Sequence, residues 1–351
     1  MSVISLSRNA SIVYEGLNQI IIPEDFEKTL QQLNQLKVRD LSDVTFSPSH
    51  FEKYDKSGKL VLVDDVIKAY DMDLKNGEKC AQNNVICAYD ESIRKYQCLQ
   101  GSVYYSSHAA TIMAPEQPFY LPVTKLSLGF YTRSSSISEE FELDLSEDAE
   151  TDFTKKMVAE KIEFLNDSRL VPNNSILLID GPLIAGDWYV LMIRAIKKFL
   201  ERGVIPLFFV KNSDSSLVTD NYSEFKGLYN SDLHWCHDFL EPGQRTSLFR
   251  YTDEHNQDNT KIFCYFKSMN CSPQRLEMHV PTYENFGLQI EDCINMVHYL
   301  VTAQGDRINP QIRPIAISEK YARETLRVFN IKQKLKGTPL EPIMNEVRFG
   351  G

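Results

Sequence analysis

The apolar positions in the first half of the chain predict strands that follow a polar, helical N-terminal region. Residues 1–59 are mainly polar, and apolar residues recur at helical spacing within 26–36. Four β-rich segments follow, and they predict strands: 60–63, 84–90, 97–111 and 126–133. The second of them ends on an acid, Asp90, and Gly101 in the third marks a bulge or a close backbone approach.

Helical and apolar segments alternate in the second half, after a loop rich in Ser and acids at 134–152. Phe153, Met157 and Phe164 share one face of a helix predicted from 152 to 166. The remaining segments continue the alternation: a strand at 175–181, a helix at 188–200, a strand at 204–210, strands near 261–267 and 276–280, and helices near 290–301 and 317–328. Continuous apolar runs such as 175–181 are typical of buried central strands.

The order of these elements predicts an α/β protein with a mixed sheet flanked by helices. No internal repeat and no Pro/Gly-rich linker divides the chain, so one composite domain is the simplest organisation. We expect a helical N-terminal region at 1–59, available for dimer or partner contact, a main domain at 60–336, and a C-terminal tail at 337–351.

Composition and charge fit a globular protein and restrict its partners. The 351 residues include 38 Lys and Arg and 48 Asp and Glu, which gives a net charge of −10. This balance disfavours a protein that coats nucleic acid by bulk charge, but it allows a local basic groove or an acidic metal site. The sequence shows neither a membrane-spanning apolar run nor a signal peptide, so we expect a cytoplasmic protein.

The cysteines predict neither a disulfide framework nor a zinc ribbon. There are seven of them and no CxxC, so most are expected to be reduced thiols. His234, Cys236 and His237 are clustered like metal ligands, but no second pair is spaced to complete a site.

Three carboxylates fall at informative places in the element order. Asp90 ends a strand, Glu160 lies on the apolar face of the helix that follows, and Asp180 ends the next strand. An acid on an apolar face is costly unless it is paired. This is the element order of the RNase H-like fold, in which such acids converge on divalent metal ions. Carboxylate oxygens suit Mg²⁺ or Mn²⁺.

Local motifs strengthen this interpretation, because five segments resemble signatures of the NurA family of DNA-repair nucleases. The segment LLIDGPL at 177–183 resembles the family's "LLDGSL", which is the most specific match, and AYDES at 88–92 resembles a "VDGS" motif. The others are FFVKNS at 208–213, GQRT at 243–246, and RLE at 275–277 followed by Pro281. The resemblance covers residues 85–326.

The resemblance implies a Mn²⁺-dependent (or Mg²⁺-dependent) deoxyribonuclease that acts in DNA end resection. NurA proteins have an RNase H-like, PIWI-like core, form homodimers and work with HerA, a hexameric DNA-translocating ATPase. Carried over to this chain, Asp90, Glu160 and Asp180 would be metal ligands, with two ions expected. Lys211 would contact phosphate or stabilise charge near the scissile bond, and Arg245 would bind substrate phosphate.

Departures from the family pattern lead to an alternative function. Glu91 replaces the usual Gly after Asp90, and Glu319, a further expected metal ligand, stands where the family has a His. A carboxylate can bind a metal but cannot act as a neutral imidazole. The alternative is a NurA-like scaffold with a weakened site, which would bind DNA or the ATPase without cutting. A phosphotransferase that uses Asp180 is disfavoured, because no P-loop motif occurs.

Other assignments remain open for most of these positions. Glu163 competes with Glu160 after a shift of one helical turn, and Asp64 and Asp65 compete with Asp90. Arg245 is equally compatible with a surface salt bridge. Tyr104 and Tyr105 are either base-stacking residues or ordinary half-buried strand residues.

Overall fold

The computed structural model of the chain describes most of the main domain expected from the sequence. The described residues are 58–97, 101–115, 120–135, 138–139, 144–186, 188–254, 256, 258–305, 308, 310–331 and 333. The tail at 337–351 and all but the last two residues of the expected N-terminal region lie outside them.

The described elements follow the alternation read from the sequence. The strands are β1 (Gly58–Leu62), β2 (Ala69–Asp71), β3 (Ile86–Gln97), β4 (Ser102–Met113), β5 (Leu121–Thr132), β6 (Asp144–Leu145), β7 (Ile176–Asp180), β8 (Ile205–Val210), β9 (Gln244–Thr246), β10 (Phe249–Asp253), β11 (Thr260–Lys267) and β12 (Gln274–His279). The helices are α1 (Leu74–Asn83), α2 (Ala149–Asn166), α3 (Tyr189–Glu201), α4 (Asp232–Phe239), α5 (Val280–Gln304) and α6 (Arg313–Phe329).

In the described part of the chain, twelve strands join one mixed sheet, which confirms the predicted fold class. Its order is β1–β10–β11–β12–β8–β7–β3–β4–β5–β6, with β9 paired to β11 and β2. β3, β4 and β5 form an antiparallel meander, whereas β7 and β8 run parallel to β3. Parallel neighbours need crossover connections, and helices α2 and α3 supply them.

Helices cover both faces of the central strands, which explains why those strands are apolar along their length. Alternate side chains of a strand point to opposite faces. Leu178 of β7 therefore packs with α5 and α6 on one face, whereas its neighbours Leu177 and Ile179 pack with α2 and α3 on the other. The face covered by α5 and α6 will be called the α6 face, and the face covered by α2 and α3 will be called the α2 face.

The antiparallel meander is longer than its sequence pattern indicated. β3 continues seven residues past Asp90, to Gln97, although the segment after Asp90 is largely polar. Its full-length pairing with β4 supplies the hydrogen bonds that the pattern does not reveal. Gly101 marks a close approach, as expected, because a Cβ there would collide with the backbone carbonyl of Tyr131.

Helix α1 is absent from the sequence prediction, because its sequence favours a loop. It contains Gly77, which costs about 1 kcal/mol in a helix interior relative to Ala, and its composition is mostly polar. Two compensations are visible. The carboxylate of Asp73 accepts hydrogen bonds from the amides of Lys75 and Asn76 at the helix start. Gly77 also allows α1 to pack closely against α5.

A fully buried carboxylate links three parts of the fold. Glu277 on β12 is 0% exposed and lies 2.6 Å from the Lys261 ammonium and 2.8 Å from the Arg275 guanidinium. Its other oxygen accepts a hydrogen bond of 2.8 Å from the amide of Leu183, in the turn after β7. Burial alone would raise the pKa of Glu277, but the charges of Lys261 and Arg275 lower it below its ordinary value.

The first prediction concerns this buried network. Glu277→Ala leaves two buried cations without their partner, and such losses cost about 3–5 kcal/mol. We expect the free energy of unfolding in denaturant titrations to fall by that amount. Glu324→Ala is the matched control: it removes a surface pair with Arg327 and should change stability by under about 1 kcal/mol. Equal effects of the two substitutions would show that the network does not stabilise the fold.

Candidate active site

Two of the predicted acids are brought together by the parallel pairing of β3 and β7. Tyr89 pairs with Ile179, so Asp90 and Asp180 each stand one residue beyond this paired position. Asp90 shares its face with Ala88, and Asp180 shares its face with Leu178. Both carboxylates therefore lie on the α6 face, close enough for the charge of Asp180 to act on Asp90.

Lys211 places a positive charge beside these carboxylates. It directly follows β8, and its ammonium lies 2.8 Å from an oxygen of Asp180 and 3.1 Å from one of Glu319. Glu319 projects from α6, where Gln311 donates a 2.9 Å hydrogen bond to it and Arg323 pairs with it at 2.7 Å. Asp90, Asp180, Lys211 and Glu319 will be called the acidic cluster.

The pKa shifts in the acidic cluster show that its carboxylate charge is not fully neutralised. Burial, followed by the nearby charge of Asp180, raises the pKa of Asp90 to about 7. Burial also raises the pKa of Asp180, although the bond from Lys211 opposes the change. Burial would lower the pKa of Lys211, but its contacts with Asp180 and Glu319 raise it overall. The cluster therefore contains more carboxylate charge than Lys211 neutralises.

Glu160, the predicted helix ligand, lies on the other face of the sheet. One of its oxygens accepts a 2.8 Å hydrogen bond from Ser127, and the other lies 3.5 Å from Nε2 of the fully buried His108. Helix α2 packs on the α2 face, where its Phe164 contacts the Tyr89 ring. Glu160 therefore belongs to a separate group of polar side chains, which corrects the expectation that it converges with Asp90 and Asp180.

The polar group around Glu160 contains residues that the sequence did not single out. The Tyr89 hydroxyl lies 2.6 Å from Nδ1 of His108, and the Lys161 ammonium lies 3.2 Å from Glu91 and over the Tyr89 ring. Glu91 lies here because a residue next to Asp90 in a strand must face the opposite side. That alternation is the signal that could have separated Glu91 from the acidic cluster; nothing local identifies His108 or Lys161.

The acids that compete with Glu160 and Asp90 for the ligand positions either make structural contacts or lie at the surface. Glu163 is exposed and pairs with Lys125 at 2.7 Å on the surface. Asp64 accepts a 2.9 Å hydrogen bond from the Leu248 amide beside β1, an edge strand of the sheet. Asp65 is exposed in the same segment. None of these three acids belongs to the acidic cluster.

Arg245 does not have the predicted substrate-binding position. Its side chain is 7% exposed, pairs with Glu291 of α5 at 2.7 Å, and stacks on the ring of Tyr70. Arg245 is more deeply buried than Lys211, whose side chain is 24% exposed, and it lies outside the acidic cluster, so the geometry favours a structural role over the predicted contact with substrate phosphate. Tyr104 is likewise a core residue, stacked on Phe153 with ring centroids 4.6 Å apart.

The acidic cluster fits a divalent cation in chemistry, although no complete ligand set is preformed. Carboxylate oxygens are the ligands that Mg²⁺ and Mn²⁺ prefer, and the raised pKa of Asp90 reflects charge that a cation would offset. No group of three or more His, Cys, Asp or Glu side chains among the described residues is arranged to hold a metal, and this includes the 234–237 segment. Lys211 lies between Asp180 and Glu319 instead.

The comparison with protein families gives one match, which covers most of the chain. The model described as the NurA domain matches residues 44–290. This range contains Asp90, Glu160, Asp180, Lys211 and Arg245 but excludes Glu319. No curated protein matches the chain. In the described part of the chain, no helix is both long and apolar enough to cross a membrane.

Solved structures resemble the chain at low identity. The NurA nuclease from Sulfolobus solfataricus is 13% identical with a TM-score of 0.47, and the match covers 75% of this chain and 91% of that one. A structure described as NurA gives 9% identity and a TM-score of 0.38, covering 91% and 100%. The third structure is endonuclease V from Ciona intestinalis in complex with a 24mer DNA containing an inosine followed by a ribo-adenosine. It is 11% identical with a TM-score of 0.30, and the match covers 70% of this chain and 87% of that one. At such TM-scores the family match carries the assignment.

The second prediction follows from the raised pKa of Asp90. Its folded-state pKa is about 7 against 3.8 for an ordinary Asp, so the folded state holds a proton that the unfolded state has lost between these values. Stability from this group is therefore present at low pH and is lost as pH rises toward 7. In chelator-treated protein, Asp90→Asn should raise the melting temperature more at pH 8 than at pH 5.

The size of this effect is on the order of a few kcal/mol at most, because one pKa unit corresponds to about 1.4 kcal/mol and partial exposure screens the charge. Asp65→Asn is the control, since its carboxylate is exposed. A gain from Asp90→Asn that is the same at both pH values would contradict the raised pKa.

Proposed function

Because the chain belongs to the NurA family of nucleases, we propose that it is a divalent-metal-dependent deoxyribonuclease that processes DNA ends. The observation that carries this proposal is the juxtaposition of Asp90 and Asp180 on one sheet face, with Lys211 2.8 Å from Asp180. The metal dependence, DNA as the substrate and the resection role belong to the proposal.

The proposed metal is Mn²⁺ or Mg²⁺, in one or two ions. Asp90 and Asp180 would hold it, with Glu319 as a further ligand from α6. When bound, such an ion polarises the phosphodiester and lowers the pKa of a water. The raised pKa of Asp90 supports this assignment, because burial and then the charge of Asp180 disfavour its ionised form, and a cation beside it would offset both.

Lys211 has the clearest role among the protein's own groups. Its ammonium carries three donors, and two acidic partners hold it at the open ends of β7 and β8. A phosphate oxygen at this position would receive a charge-assisted hydrogen bond, which strengthens as negative charge develops during water attack. The proposed reaction is direct hydrolysis: the water oxygen bonds to phosphorus, the P–O bond to the leaving oxygen breaks, and no covalent enzyme intermediate forms.

The proposed partners are a second copy of the chain and a HerA-type hexameric ATPase that delivers DNA, in the cytoplasm. Family membership supports both partners, and the charge of the chain supports the need for delivery. A net charge of −10 gives little bulk attraction for DNA, so a partner that confines the strand would raise its local concentration. The N-terminal region at 1–59 stays the proposed contact region for either partner, and all but its last two residues lie outside the described part of the chain.

A second candidate is a scaffold that binds DNA or the ATPase without cutting. The observation in its favour is that Lys211 already bridges Asp180 and Glu319, and that among the described residues no three His, Cys, Asp or Glu side chains are arranged to hold a metal. Glu319 stands where the family has an imidazole, and Glu160 lies on the opposite face. In this candidate the ion pairs of Lys211 replace the metal and stabilise a closed site.

The third prediction tests the nuclease directly. Asp180→Asn removes one of two adjacent carboxylates while retaining the shape of the side chain. We expect Mn²⁺-dependent cleavage of linear DNA to fall by at least about 100-fold, as measured by the release of labelled fragments on denaturing gels. Fluorescence anisotropy on the same samples measures DNA binding separately.

The control for this experiment is Glu163→Gln, which removes a surface carboxylate from α2 and should retain full activity. Wild-type protein that binds DNA but does not cut it, with or without a HerA-type ATPase, would favour the scaffold. Cleavage that survives Asp180→Asn would place the chemistry elsewhere in the protein.

The fourth prediction tests whether cleavage depends on Glu160, which lies on the α2 face, as strongly as on the acidic cluster on the α6 face. Glu160→Gln keeps a hydrogen-bond acceptor for Ser127 and removes a charge beside His108. We expect less than about a 10-fold loss of cleavage, because Glu160 lies outside the acidic cluster and any effect on it is indirect. Titration of activity with Mn²⁺ is the measurement. A loss as large as that of Asp180→Asn, with a weakened Mn²⁺ dependence, would assign Glu160 to the metal after all.

A further inference from the structure

Two cysteines meet where helices α1 and α5 pack most closely. At Gly77 of α1, an added Cβ would collide with the backbone carbonyl of Asn295 and come within 2.8 Å of the Cβ of Tyr299. Asn295 also accepts a 2.8 Å hydrogen bond from the Asp73 amide at the start of α1. Cys80 lies three residues after Gly77, on the same side of α1. On α5, Cys293 belongs to the core cluster against which Cys80 packs.

Cys80 packs against the core cluster that contains Cys293, and the two thiols interact strongly enough to shift each other's pKa. Cys293 is 1% exposed, whereas Cys80 is half-buried and reaches the protein surface. The side-chain amide of Asn84 donates to the Cys80 sulfur at 3.6 Å. The pair therefore combines an accessible sulfur with a buried one in the same packed interface, each on a different helix.

The accessible thiol, Cys80, is the more acidic of the two, and the buried thiol, Cys293, is the less acidic. The hydrogen bond with Cys293 lowers the pKa of Cys80, and Asn84 assists, against opposing effects of burial and Asp292. The same hydrogen bond and burial raise the pKa of Cys293. The thiolate is the nucleophilic form of cysteine, so Cys80 is the sulfur that reacts first.

We propose that Cys80 and Cys293 form a peroxide-reactive dithiol, which closes to a disulfide between α1 and α5. The Cys80 thiolate attacks one oxygen of hydrogen peroxide, the O–O bond breaks, and a sulfenic acid forms. The hydroxide that leaves takes up the proton that the Cys80 thiol released and becomes the first water. The Cys293 sulfur then attacks the Cys80 sulfur and loses its proton. The S–O bond breaks, and the second water leaves. Two thiols supply the two electrons that reduce the peroxide.

The other described cysteines lack this combination. Cys87 and Cys264 are buried, and burial raises the pKa of each to about 12. Cys236 is fully buried with a pKa raised well above its ordinary value. Cys271 is half-buried, but burial raises its pKa as well. When the protein is treated with peroxide, these cysteines serve as internal controls for the selectivity of oxidation.

The fifth prediction uses the full-length protein. After brief treatment with a small molar excess of hydrogen peroxide at neutral pH and alkylation of free thiols, non-reducing trypsin digestion should yield peptide 80–94 linked to peptide 276–307. Dithiothreitol should release the two peptides. Because peptide 80–94 contains Cys87 too, fragmentation must place the bond on Cys80. Cys80→Ser and Cys293→Ser should each abolish the link, whereas Cys271→Ser should leave it.

A second measurement keeps the proposal testable if one variant is poorly folded. In Cys293→Ser, the sulfenic acid at Cys80 has no partner, so a dimedone adduct should accumulate there. A link through Cys87, persistence of the link in Cys80→Ser, or oxidation of Cys271 ahead of Cys80 would overturn the proposal. So would the recovery of both thiols unmodified under peroxide. None of these outcomes depends on the nuclease assignment.

Discussion

The burial of Glu277 is the constraint on which the position of the site depends. An ionised carboxylate that is removed from water is tolerated only when its lone pairs are fully satisfied, and Lys261, Arg275 and the amide of Leu183 satisfy them. The Leu183 contact anchors the turn that follows Asp180. Gly181 begins that turn with a φ of 94° and donates to the carbonyl of Phe209 on β8. The buried charge thereby fixes where β7 ends and where the Asp180 carboxylate stands.

Side-chain alternation in β3 then distributes the acids between two separate sites. Asp90 must face α6 if Ala88 does, and Glu91 must face α2 with Tyr89. The juxtaposition of Asp90 and Asp180 is predictable from sequence, because both follow apolar runs that pair in parallel at the centre of the sheet. The position of Glu160 is not predictable in this way. Helical spacing shows which side of α2 is buried, but not which face of the sheet that side covers.

The residues that sequence reasoning missed or misassigned share one property: their partners lie far away in the chain. Arg245 resembles a phosphate ligand until Glu291 is found beside it, and α1 resembles a loop until Gly77 meets Asn295. A local pattern contains the propensity of a segment but not the charge or the helix that will be placed against it. Elements with continuous apolar runs were therefore predicted well, whereas those stabilised by a specific polar or glycine contact were not.

The balance between cutting and mere binding depends on charge at the acidic cluster. Asp90, Asp180 and Glu319 contribute three negative charges when ionised, and Lys211 with Arg323 contributes two positive ones, which leaves a net charge of −1. Such a site repels phosphate. Under the proposed function, one divalent ion would change the balance to +1, so a phosphodiester would be attracted only when the ion is bound. The overall charge of −10 is consistent with this dependence, because the chain as a whole exerts no bulk attraction on DNA. If Lys211 keeps its ion pairs, Asp180 and Glu319 stay neutralised by the protein itself. Under the proposed function, Asp180 would instead hold the divalent ion, and the Lys211 ammonium would be available to pair with the phosphate.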